Sequence, residues 1–287
     1  MPGPDETSAQ AQQQAQERYR QQQKAIEQRA SEIEHVLLVM SGKGGVGKTT
    51  LAVNFAWALA ARGESVGLLD ADLHGPNAAL MTHTHDSRLG LRNNLMQPAV
   101  AAHGLSVVSM AMLLEDRDTP TIWRGPLVAG VLRQFIAEVD WGRLDYLIVD
   151  LPPGTGDEPL TIAQSFPGAD GVVIVTTPQQ VSQEDCRKAI NFARKLGLPV
   201  IGVVENMSGF VCPHCGRETA IFSQGGGSTM AGAMAVPYLG SLPLMAEIVS
   251  LSDNGQPLTD KDAPQAVRDA LARLMDNIDH QLSRREN

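Results

Sequence analysis

Between residues 42 and 49 the chain reads Gly-Lys-Gly-Gly-Val-Gly-Lys-Thr, the G-x-x-x-x-G-K-[ST] pattern of a phosphate-binding loop. It constrains the fold tightly, because such a loop works only between a buried strand and the start of a helix. The preceding run, His35-Val-Leu-Leu-Val-Met40, is short and continuously apolar, as a parallel strand covered on both faces requires. Thr49 to Ala61 reads as a helix, with Arg62-Gly63 at its stop. Glycines let successive backbone N–H groups converge on a phosphate, and the helix N-terminus adds partial positive charge. Lys48 meets the β and γ phosphates, and the Thr49 hydroxyl takes a magnesium position. Gly42, Lys43, Gly44, Gly45, Val46, Gly47, Lys48, Thr49 and Thr50 are therefore the expected residues around ATP and Mg2+.

The same texture continues along the chain. Strands are expected at Val66–Asp70, Leu105–Met110, Tyr146–Asp150, Gly171–Thr176, Val200–Val204 and Pro237–Leu242. Between them fall helices at Pro126–Val139 and Gln183–Leu196, a short one opened by Gly225-Gly-Gly227, and an amphipathic closing helix at Pro264–Leu282. Alternation at these lengths predicts an α/β fold, a doubly wound, mostly parallel sheet with helices on both faces. With no internal repeat and no linker after residue 30, residues 31–287 are expected to form a single domain. Residues 1–30 are Gln-rich and poor in large apolar side chains, so a disordered or loosely helical leader is expected there.

Carboxylates follow two of the strands. Asp70-Ala-Asp72 ends the second, where acidic groups emerge beside the phosphate site; Asp70 is alternatively a structural cap. Asp150 ends Tyr146-Leu-Ile-Val-Asp150, the Walker B pattern, and would hold magnesium. Gly154 and Gly156 in Leu151-Pro-Pro-Gly-Thr-Gly-Asp157 suit a loop that rearranges around a γ-phosphate.

A net charge of −9 argues against general affinity for nucleic acid or an anionic membrane. No apolar run approaches the ~20 residues that span a bilayer, and the polar start lacks the features of a secretory signal. A cytoplasmic protein is expected. In a reducing compartment three cysteines form no disulfide framework, and the close pair in Cys212-Pro-His-Cys215-Gly216 points to metal or redox chemistry. Cys186, inside a helix, reads as a small buried residue. C-P-x-C-G suits a metal knuckle whose turn amides donate to sulfur. A thioredoxin-like motif would belong at a helix start in a smaller fold. Two thiolates do not complete a zinc or iron–sulfur site, each of which generally takes four ligands. A symmetric homodimer would supply the other two.

The second lysine of the loop, Lys43, makes it resemble the deviant Walker A of the MinD, ParA and nitrogenase iron protein superfamily. Trp123-Arg-Gly-Pro126, Asp150-Leu-Pro-Pro-Gly-Thr-Gly-Asp157, Glu205-Asn-Met-Ser-Gly-Phe-x-Cys-x-x-Cys215, Phe222 and Gly225-Gly-Gly227 then resemble the Mrp/ApbC iron–sulfur cluster carriers, over roughly residues 33 to 260. The resemblance implies that Lys43 reaches across a homodimer to the partner's nucleotide and that Asp72 orients the attacking water. It also implies that Asn206 meets the adenine edge, with the segment around Pro243 on the other side of the base. Cys212 and Cys215 of both subunits would hold a 4Fe–4S cluster, taken from a cluster donor and delivered to apo iron–sulfur client proteins. Three positions depart from the family's habit: His74 for an aromatic residue, Asn77 for serine and Val249 for arginine. The competing reading is a MinD/ParA-like positioning or partition ATPase with structural zinc at the cysteine pair.

Overall fold

The computed structural model describes residues 16–17, 20–73, 75–113, 125–166 and 168–286. Strand β1 (Ile33–Ser41) runs through the middle of the molecule, and every residue from Val36 to Ser41 is buried. This continuous burial is what its unbroken apolar sequence requires. On one side β1 pairs in parallel with β7 (Leu144–Asp150), and on the other with β8 (Gly171–Thr176). Beyond β7 lie β2 (Val66–Asp70), β6 (Ser106–Ser109) and the short β5 (Ala99–Val100); beyond β8 lie β9 (Val200–Glu205) and β12 (Tyr238–Ser241). Of these eight strands only β5 is antiparallel to its neighbour. The expected doubly wound α/β sheet is therefore the observed one, and the parallel strands deliver Ser41, Asp70, Asp150 and Glu205 to one edge.

Helix α2 (Lys48–Ala61) is buried from Leu51 to Ala60. It is enclosed between the sheet and the closing helix α9 (Gln265–Glu286), which buries Val267, Leu271, Leu274, Ile278 and Leu282 on one stripe. That i, i+3/i+4/i+7 spacing is the amphipathic pattern read from the sequence. The other face of the sheet carries α4 (Gly125–Glu138), α5 (Asp157–Ser165), α6 (Gln180–Lys195) and α7 (Gly226–Ala233). No described helix is long and apolar enough to cross a membrane.

Differences from expectation concern short or edge pieces. Residues 20–30, assigned to a leader with little to bury, are helical (α1) and bury Ile26, which is 3% exposed, in the α6-side core. Helices α3 (Ala78–Met81), α5 and α8 (Ala246–Asp253), strand β5 and the hairpin β3 (Gly90–Arg92) with β4 (Leu95–Gln97) were not anticipated. Nor was the two-stranded ribbon β10 (Phe210–Val211) with β11 (Glu218–Thr219). Strands of two or three residues and helices of one to three turns are too short for a hydrophobic period to register. Residues 1–15, His74 and the Trp123-Arg124 pair lie outside the described residues.

Candidate functional site

The phosphate loop leaves β1 and enters α2 under two packing constraints. A Cβ on Gly42 would sit 2.2 Å from the Asp185 carbonyl carbon, so α6 presses its backbone directly against the first glycine. Gly47 is the N-cap of α2 at φ 82°, and a Cβ there would meet the Asn206 Nδ2 at 2.1 Å. Only glycine satisfies both the left-handed backbone and the approach. Asn206 Nδ2 in turn donates to the Val46 carbonyl at 2.9 Å, tying the loop to the end of β9.

Beneath the loop lies a compact polar centre. Lys48 Nζ contacts Asp150 Oδ1 at 2.6 Å, and Thr49 Oγ1 donates to Asp150 Oδ2 at 2.6 Å. Asp150 is fully buried; burial drives its pKa up, and Lys48 and Thr49 pull it back down. A buried carboxylate left without such partners would be strongly destabilising. Asp70 sits beside Asp150 in the register of β2 and β7. Burial and the Asp150 charge push Asp70 up to about 7, against the Ala78 amide, Lys48 and Ser109. Its oxygens accept from the Asp72 and Ala78 N–H groups and from the Ser109 hydroxyl, which is the geometry of a structural cap. Asp72, 8% exposed, faces the cavity and accepts from the Gly75 N–H at 3.2 Å. The loop after β7 is moored to β1, since the Gly154 N–H donates to the Ser41 carbonyl at 2.9 Å.

These groups open on a cavity of about 440 Å³, a size suited to a nucleotide-scale ligand. Lys43, Gly44, Gly45, Gly47, Lys48, Thr49 and Thr50 line one end, with Asn206 and Pro243 further along. Gly42 and Val46 hold the loop from behind and are not among the lining residues. A hydroxyl and a carboxylate in contact, Thr49 and Asp150, form the hard-oxygen donor set that magnesium takes, so the residues present fit that ion. Sequence reasoning missed the far wall, made by Leu80 and Met81 of α3 and by Ile248, Val249 and Ser252 of α8. Asn77 and Val249, noticed as departures from a family habit, both border it. The available signal was the apolar cluster Leu244-Met-Ala-Glu-Ile-Val249, which carries no phosphate chemistry.

Cys212 and Cys215 lie at the tip of the β10–β11 ribbon, the first half-buried and the second exposed, both as free thiols. Backbone N–H groups of His214 and Cys215 hold the Cys212 thiol below its usual range, as amide donation to a thiolate does. Gly216, at φ 68°, turns the chain back and donates to the Cys212 carbonyl at 2.9 Å. No group of three or more His, Cys, Asp or Glu able to hold a metal occurs among the described residues, so one chain offers two thiolates here. Cys186 is 1% exposed in α6; its thiol donates to the Val175 carbonyl, and burial pushes its pKa up.

Residues 32–279 match the family model described as "ParA: NUBPL iron-transfer P-loop NTPase". The iron-sulfur cluster carrier protein of Methanocaldococcus jannaschii is 45% identical over 261 residues, 90% of each chain. The cytosolic Fe-S cluster assembly factor CFD1 of Candida glabrata is 47% identical over 228 residues, 77% of this chain and 80% of that one. Among solved structures, a nucleotide-binding protein in complex with ADP from Archaeoglobus fulgidus superposes with a TM-score of 0.73 at 37% identity, covering 82% of this chain and 91% of that one. The phosphate loop, the Walker B carboxylate and the paired thiols thus occur together in a chain that belongs to the family of NUBPL-type iron-transfer P-loop NTPases.

Proposed function

We propose that this carrier-family chain binds ATP with magnesium in the 440 Å³ cavity, hydrolyses it, and as a homodimer carries a 4Fe–4S cluster that it receives from a donor and passes to apo iron–sulfur proteins. The observation that carries the reading is the pair Cys212 and Cys215, half-buried and exposed, two thiolates without a third or fourth ligand among the described residues, on a ribbon beside the nucleotide cavity. Two copies related by a two-fold axis supply four thiolates, the number such a cluster takes. The cluster is cargo, held by sulfur and shielded by the partner chain.

At the other site Lys48 binds the β and γ phosphates, and Asp72 holds the attacking water. Lys43 closes on the partner's nucleotide. Water attacks the γ-phosphorus, the bond to the β-bridging oxygen breaks, and ADP and phosphate leave. Thr49, and Asp150 through water, would hold magnesium, which would supply charge neutralisation at the phosphates. The adenine lies between Asn206 and Pro243. An acidic chain without a membrane-crossing helix among its described residues suits a cytoplasmic carrier that engages neither nucleic acid nor membrane.

Anaerobic reconstitution tests the cargo. The expected result is a brown dimer with about four irons and four sulfides, ~2 of each per chain, and loss of both in the double variant Cys212→Ala/Cys215→Ala. Equal iron in wild type and double variant, or zinc alone in protein prepared without oxygen, would overturn the reading.

A further inference from the structure

The loop that bears the cysteine pair is anchored at several points, and one of them, Leu244, lines the nucleotide cavity. It starts at Glu205, the last residue of β9, which is fully buried. The Glu205 carboxylate accepts from the Ser208 hydroxyl at 2.5 Å, from the Gly225 N–H at 3.0 Å, and from the Gly227 N–H. One side chain therefore closes both ends of loop 206–225. Its negative charge is met by the N-terminus of α7. Between those ends, Ser208 N–H donates to the Leu242 carbonyl, Leu244 N–H to the Gly209 carbonyl, and Val211 N–H to the Leu244 carbonyl. Pro243, Leu244 and Met245 are cavity wall, as are Asn206 and Met207. Gly209 stands at φ 77°, a left-handed backbone that glycine favours.

We propose that Glu205 is a positioning residue that holds loop 206–225 in the register in which its backbone joins segment 242–245, so that a nucleotide base in the cavity sets the exposure of Cys212 and Cys215 within a single chain. The inference rests on the placement of the base between Asn206 and Pro243 given above. It needs neither the γ-phosphate nor the partner subunit, because the contacted wall and the ribbon belong to the same chain. Glutamine at 205 would keep one acceptor oxygen and turn an amide donor against a backbone N–H, loosening one end of the loop. Aspartate would keep the charge on a shorter arm.

The test is the rate at which a disulfide reagent labels Cys212 and Cys215 in full-length, cluster-free, reduced protein. It is run with and without magnesium ADP, at a concentration where sedimentation shows single chains. ADP is expected to slow wild-type labelling at least threefold. In Glu205→Gln the response falls below 1.5-fold while ADP affinity stays within threefold of wild type; Glu205→Asp recovers part of the response and Ser208→Ala shows about half of it. A wild-type-sized response in Glu205→Gln, or no response in wild type that binds ADP, overturns the proposal. If Glu205→Gln does not fold, a full response in Ser208→Ala overturns it instead. The iron and sulfide count is independent of this assay: protein that shows the ADP response yet loads no cluster retains the coupling and refutes the cargo.

Discussion

Asp70 and Asp150 stand on adjacent strands with one lysine between them and the cavity, and this arrangement has a consequence for stability. Asp70 is raised to about 7 by burial and then by the Asp150 charge, and Asp150 itself is shifted upward. A carboxylate whose folded pKa lies above its unfolded value of 3.8 binds more protons when folded. Its contribution is therefore fully present below 3.8 and is lost as pH rises through about 7. The urea midpoint of nucleotide-free protein should accordingly fall between about pH 4 and about pH 7, and Asp70→Asn should flatten that slope; an unchanged slope in the variant would show that other groups set it. That Lys48 and Thr49 meet Asp150 was legible from their places at the loop and the strand end. The capping role of Asp70, given as an alternative to a part in catalysis, needed the positions of Ala78 and Ser109, which approach it only in the folded chain.

At the scale of elements, legibility followed length. The seven parallel strands of the central sheet and helices α2, α4, α6 and α9 were readable because each runs long enough for its burial pattern to register. The β10–β11 ribbon has two residues per strand and is held by the 242–244 segment rather than by its own propensity. Helix α9 illustrates the opposite case, an element whose energetics follow from its stripe. Leu274 is 1% exposed and packs on Gly240 of β12, where a Cβ would come within 3.1 Å of it. Leu274→Ala should destabilise the protein by ~2–5 kcal/mol, seen as a lower urea midpoint, and leave ATP affinity unchanged. A loss below ~1 kcal/mol would mean that the site refills by collapse.

For the whole molecule the question is association. A chain of net charge −9 repels its copies at long range, so a dimer needs a local bridge. Lys43 borders the cavity, and Leu80 and Val249 leave 44% and 53% of their surface exposed on its wall. Lys43→Ala should bind ATP within a few-fold of wild type but fail to sediment as a dimer with ATP, and its ATPase rate should fall at least tenfold. ATP-dependent dimers of normal activity would remove Lys43 from the bridge. The fold class, the phosphate loop and the thiol pair could be read from the chain because each depends on neighbours in sequence: a buried strand must be apolar, a phosphate nest must be glycine-rich, and a two-thiol knuckle must be closely spaced. Folding alone supplied the contact of Gly42 with α6, the far wall of the cavity and the Glu205 clasp. These join residues distant in sequence, and which of them meet is set by close packing across the sheet, a property that no local pattern encodes.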